Sequence, residues 1–276
     1  MPALAPVLYI PHGGGPLPLL GEPGHAALVD FLQRIPGQLA TPSAVLVISA
    51  HWEAPEPAVL QTPAPGLYYD YYNFPEAAYQ IDYPLQPEPA LAGHMAQLIA
   101  DAGFPVHSET SRGFDHGVFV PLKLMYPDAD VPCIQVSLLD DMDPARHIAL
   151  GRALQPLRER GVLILGSGSS YHNMQPPRPG IDPGENDIRQ FDQWLRDTCS
   201  DPALASGERY DRLVNWLDAP HARFCHPREE HLLPLQVCFG AALASAEAAG
   251  DESLACADCV FDAPMMGRTV LAFLWD

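Results

Sequence analysis

The chain has 276 residues, a formal net charge of −19 and an apolar share of 47%. It is long enough to bury a substantial core without disulfides, and no apolar run reaches the roughly 18 residues of a membrane span. So acidic a chain repels a phosphate backbone and shows no basic patch to compensate, which excludes nucleic-acid binding; with 18% charged residues it is not a disordered acidic chain either.

In chain order, the N-terminus reads MPALAPVLYIPHGGG, with no basic segment before an apolar stretch, so a cytoplasmic protein is expected. Residues 7–10 (VLYI) and 44–49 (AVLVIS) are short apolar runs rich in β-branched side chains. Continuous rather than alternating apolarity predicts strands covered on both faces. The proline-rich stretch 54–65 reads as an irregular surface loop. A helix is predicted over 89–102, with Leu91, Met95, Leu98 and Ile99 at helical spacing and a stop at Gly103. Residues 131–138 form a third strand. A helix over 144–160 follows Asp143, a good N-cap, and stops at Gly161. Residues 162–165 (VLIL) form a fourth strand, and 175–183 a second proline-rich loop. Helices over 185–199 and 228–248 and a strand over 269–274 complete the chain. This alternation predicts an α/β fold: one domain over residues 1–276, with a central, mostly parallel sheet flanked by helices.

Six cysteines are spread along the chain and read as reduced thiols. Cys256 and Cys259 form one CxxC pair without the matching second pair a structural zinc site needs.

The eleven histidines are informative by position. His12, His51 and His172 each follow a predicted strand, and ligands of open α/β sheets bind outside the carboxyl ends of the strands. Three imidazoles at one sheet edge suit Fe, Zn, Cu or Ni. Glycines beside His12 and His172 permit sharp turns and close approach to a ligand. Gly166-Ser167-Gly168 lacks the third glycine of a dinucleotide fingerprint. In the segment 226–234, Pro227 suits the first helical position and Glu229 and Glu230 the first turn, so His231 is predicted one turn into a helix. His25, His94, His107, His147 and His221 are expected to be surface or hydrogen-bonding residues. The aromatic-rich run 68–74 (YYDYYNF) reads equally as the wall of a pocket for a flat ring and as packing or a homodimer contact.

Six motifs stand in order: His12-Gly-Gly-Gly-Pro16, Ser49-Ala-His51-Trp52, Gly113-Phe-Asp-His116-Gly117, Met125-Tyr-Pro-Asp128, His172-Asn173 and Glu230-His231-Leu-Leu-Pro-Leu235. In content and spacing they resemble the class III extradiol ring-cleaving dioxygenases, in the branch containing the DOPA 4,5-dioxygenases. The resemblance implies His12, His51 and His231 as metal ligands. His172 is then general base or fourth ligand, and His116 a second catalytic histidine near the substrate. Glu229 or Glu230 is the alternative carboxylate ligand. Asp115 and Asn173 are candidates for orienting neighbouring histidines. The implied cofactor is Fe(II), with Zn(II) as an occupant of purified protein. The implied reactants are O₂ and a DOPA- or caffeate-like catechol, with no nucleic acid and no membrane involved. Two other readings stay open: a zinc-dependent amidase or esterase, and a non-catalytic metal-binding relative.

Overall fold

The computed structural model describes residues 4–174 and 184–276, so the second proline-rich stretch lies outside the described residues. The chain runs β1 (Val7–Pro11), α1 (Ala26–Arg34), β2 (Ala44–Ala54), β3 (Ala58–Leu60), α2 (Pro89–Asp101), β4 (His107–Glu109), α3 (His116–Met125) and β5 (Cys133–Leu139). It continues through α4 (Pro144–Leu154), β6 (Val162–Gly168), α5 (Glu185–Ser200), α6 (Ser206–Val214), α7 (Ala222–Cys225), α8 (Leu233–Ala249), β7 (Asp258–Met265) and β8 (Arg268–Trp275). The strands form one sheet in the order β4-β3-β5-β2-β6-β1-β8-β7. The central β5-β2-β6-β1 ladders are parallel, whereas β3–β5, β1–β8 and β7–β8 are antiparallel.

Side chains of a strand alternate between faces, so the sheet feeds two cores. Val7, Tyr9, Leu46 and Ile48 pack with α2, α4, α5 and α8 on one face. Leu8, Ile10, Val45 and Val47 pack with α1 and α3 on the other. This double covering is the reason the central strands read as unbroken apolar runs. Helix α8 is buried along most of its length, and it lies unusually close to α4. A Cβ at Gly151 would overlap the Val237 carbonyl, and one at Gly240 would overlap the Ile148 carbonyl. The two glycines therefore let these helices meet backbone to backbone.

Four sequence expectations shift. The stretch 54–65 is not wholly irregular, because β3 lies within it and pairs with β4 and β5. Strand β2 does not stop at residue 49. It runs to Ala54 through a break in register between Ile48 and Glu53, and His51 sits in that break. The helix expected over 144–160 is α-helical only to Leu154 and continues as a 3₁₀ segment, Gln155–Arg160. Pro156 has no N–H to give the Arg152 carbonyl, so the α pattern cannot continue. The helix expected from residue 228 starts at Leu233, because Pro234 is tolerated only in a first turn. His231 therefore lies in the turn before α8 and not on it. Among the described residues, no helix is long and apolar enough to cross a membrane.

Among the described residues, several buried polar atoms lack a hydrogen-bond partner, and Asp192 is the carboxylate among them. Both carboxyl oxygens of Asp192, on α5, are buried without a hydrogen-bond partner. Burial, opposed by Arg196 and aided by Asp262, pushes its pKa up from 3.8 to about 7. The folded state thus holds the proton more tightly than the unfolded chain does. The group favours folding below the unfolded value and loses that contribution as pH rises through about 7. Asp192→Asn should flatten the stability profile over this window and be more stable than the parent under mildly alkaline conditions, as measured by urea denaturation. A parent whose midpoint is constant across the window would contradict the assignment.

Candidate metal centre

All five singled-out histidines converge at the carboxyl edge of the parallel strands. His12 follows β1 directly, and its N–H bonds the Gly168 carbonyl at the end of β6. His51 projects from the irregular part of β2. There its N–H donates to Ser49 Oγ at 3.2 Å, and Arg112 Nη2 donates to its carbonyl at 2.9 Å. Ser49 in turn donates to Asp115 Oδ1 at 2.6 Å. His116 opens α3. The His231 carbonyl is gripped by the Tyr9 hydroxyl and the Ser169 N–H, each at 2.9 Å. Gly168 permits that approach, since a Cβ there would overlap the same carbonyl. His172 comes from the loop after β6.

The rings form one cluster. His12 lies 4.9 Å from His51 and 5.2 Å from His231, centroid to centroid. His51 and His231 are 5.0 Å apart. His116 flanks His51 at 3.9 Å, and His172 stacks on His231 at 3.3 Å. Among the described residues, two groups could hold a metal ion: His12 with His51 and His116, and His172 with Glu230 and His231.

The orientation of every ring is set at Nδ1. Asp70 Oδ1 lies 2.8 Å from His116 Nδ1 and also accepts the His116 N–H at 3.0 Å. Its Oδ2 lies 3.5 Å from His51 Nδ1. Glu230 Oε1 lies 3.0 Å from His231 Nδ1 and 3.3 Å from His172 Nδ1. Burial alone would raise both carboxyls. Hydrogen bonds from His116 outweigh it for Asp70, as those from His172 and His231 do for Glu230, so both lie below the usual carboxylate range. An ionised carboxylate only accepts, so His116, His172 and His231 carry hydrogen on Nδ1, and the charge of Asp70 facing His51 favours the same tautomer there. His12 Nδ1 meets Ser167 Oγ at 3.0 Å. Since that hydroxyl is spent on the Gly117 carbonyl at 2.5 Å, His12 is again the donor.

With hydrogen on Nδ1, His12, His51 and His231 present a bare lone pair on Nε2. Burial holds His12 and His231 well below their ordinary pKa, and burial with the neighbouring His116 lowers His51 to about 4. The Nε2 atoms of His12 and His51 are nonetheless only 3.1 Å apart. Two facing lone pairs repel, and a cation between them removes the conflict. Imidazole nitrogens about 2.1 Å from one ion and at right angles would sit roughly 3 Å apart, so the residues fit a metal.

The cluster forms one end of a cavity of about 670 Å³. The aromatic run contributes Asp70, Tyr71, Tyr72 and Phe74 to its wall, which favours the pocket reading over the packing one. Asp115 acts on His51 through Ser49, and Asn173 Nδ2 donates to the Phe224 carbonyl at 2.7 Å. Asp70 and Ser167 were not singled out from sequence; an acid inside an aromatic run was the available signal. His25, expected to be an ordinary hydrogen-bonding residue, accepts the Gly14 N–H at 3.0 Å and so braces the loop after His12. All six cysteines are free thiols.

Fold and site together define an α/β protein able to hold a metal ion at the carboxyl edge of its sheet. A family model for the catalytic LigB subunit of aromatic ring-opening dioxygenase matches residues 8–259, and the chain belongs to that family. It is 38% identical over 256 residues to a dioxygenase of Hapsidospora irregularis, covering 87% of this chain and 78% of that one. It is 40% identical over 205 residues to a 4,5-DOPA dioxygenase extradiol of Beta vulgaris, covering 73% and 74%. A crystal structure of an uncharacterized Escherichia coli K12 protein matches with a TM-score of 0.73 at 27% identity, over 99% of this chain and 100% of that one. The chain is thus an extradiol ring-cleaving dioxygenase of the DOPA dioxygenase branch, which decides against the amidase or esterase reading.

Glu230→Gln removes the negative charge of the acceptor shared by two rings. It should weaken metal affinity about 10- to 100-fold, as read by competition with a chelator. Unchanged affinity would mean that packing alone aims His231.

Proposed function

We propose that residues 1–276 act as one cytoplasmic catalytic domain, in which Fe(II) supports the opening of a DOPA- or caffeate-like catechol by O₂. The observation that carries this reading is the opposed pair of bare Nε2 atoms on His12 and His51 at the head of an aromatic-walled cavity. His12, His51 and His231 would hold the ion, being neutral at physiological pH and the rings most constrained by their backbones. When bound, Fe(II) supplies a redox-active centre with open positions for a catechol and O₂.

The protein's own groups handle position and protons. Tyr71 and Phe74 flank the flat ring of the substrate. His172 is the more exposed of the two flanking histidines, with a side chain 30% accessible against 7% for His116. It takes the catechol proton on Nε2, and Glu230 stabilises the imidazolium formed. His116, steadied by Asp70, takes the second catechol proton on its free Nε2 and returns it as the ring opens. Zn(II) would occupy the same nitrogens without supporting turnover.

The test is oxygen uptake after anaerobic Fe(II) loading, with L-DOPA and caffeate offered separately. Uptake with a yellow ring-opened product is the expected result, and none from an iron-replete protein with either catechol would count against it. His12→Ala and His51→Ala should lose Fe(II) binding. His172→Ala should keep it while turnover falls by roughly 10²-fold or more. If that variant loses iron as fully as the other two, His172 is a ligand before it is a base.

A further inference from the structure

The β7–β8 hairpin forms part of the cavity wall, with Met266 beside Gly14 in the loop after His12. Its turn residues Met266 and Gly267 both have positive φ, 51° and 78°, the conformation of a tight two-residue turn. That turn delivers Met265, Met266 and Arg268 to the cavity wall. Arg268 stands two residues before Val270, which also lines the cavity, or about 7 Å further along the strand.

Arg268 is half-buried. Among the described residues no carboxylate pairs with it, whereas eight other arginines have an acidic partner. In a chain of net charge −19 an unpaired guanidinium in a cavity is conspicuous. The cavity's acid is already committed. Asp70 is the one carboxylate among the described lining residues, and it is bound to His116 and faces His51. Tyr171 shares the wall with Arg268, close enough that the cation opposes the upward push of burial on its phenol. Around them Met174, Met265, Met266 and Leu17 form an apolar collar. Such surroundings strengthen an ion pair relative to water, and thioethers adapt to a flexible chain.

We propose that Arg268 is the specificity-determining residue for the substrate's side chain, and that this side chain ends in a carboxylate and carries no ammonium group. The catechol end of the molecule rests on the function proposed above; the anionic end rests on Arg268. The protein's overall negative field repels anions at long range, so selection for a carboxylate must come from a local contact of this kind.

The test is anaerobic titration calorimetry of the Fe(II)-loaded enzyme with three catechols: 3-(3,4-dihydroxyphenyl)propionate, 4-propylcatechol and dopamine. The parent should bind them in that order, the carboxylate roughly tenfold to a hundredfold more tightly than the neutral compound. Arg268→Gln should abolish that preference and leave 4-propylcatechol within about twofold of the parent; Arg268→Lys should recover part of it. Equal binding of all three by the parent would overturn the proposal. So would a preference that survives Arg268→Gln, or a variant that loses all three ligands alike. Oxygen consumption with the same compounds is scored separately. An Arg268-dependent preference without consumption supports the anion site and removes the ring-opening reading. Consumption without the preference does the reverse.

Discussion

The site depends on two buried carboxylates that must remain ionised. Removing a charge from water costs several kcal/mol unless donors compensate it. Asp70 finds them in the backbone and ring of His116, with His51 close by, and Glu230 in His172 and His231. The exchange is mutual. The acids keep their charge because the imidazoles donate, and the imidazoles keep Nε2 bare because the acids accept. Arg228, itself paired with Glu53, approaches the second Glu230 oxygen at 3.4 Å and anchors that half to the β2 region.

The scaffold supplies what side chains cannot adjust. The Arg112 guanidinium and the Tyr9 hydroxyl fix the main-chain carbonyls of His51 and His231, and glycine at 168 lets the turn before α8 rest against β6. Ring orientation is thus controlled at both ends, by the backbone at Cα and by an acceptor at Nδ1. Metal sites owe much of their affinity to this kind of prior orientation.

The doubly covered central strands were legible because both faces are apolar, and His12 and His172 because they follow strand ends. His51 was legible as a residue near a strand end, but the register break that lifts it from the ladder has no marker in AVLVISAHWEA. The short strands β3 and β4 are three residues each, too short for periodicity to show. The early start given to α8 came from weighting Pro227 above Pro234, although both suit a first turn. Asp70 and Glu230 could be located only once the fold had brought residues 51, 70 and 116, and 172, 230 and 231, side by side. Such pairings carry no local signal. Six family motifs in order carried the reaction class, which histidine spacing alone left shared with hydrolases.

The sheet order has a consequence for synthesis. Strand β1 is made first, yet its two neighbours are β6, beginning at Val162, and β8, beginning at Arg268. Strand β1 therefore waits until the last strand of the sheet is made before both its edges are paired. At roughly 5–20 residues per second that wait lasts on the order of ten seconds or more. Long-range pairing of this kind slows folding and leaves an open strand edge exposed meanwhile. His12 follows that strand directly, so the metal centre matures late, and nascent chains are the stage at which this protein depends most on being shielded from its neighbours.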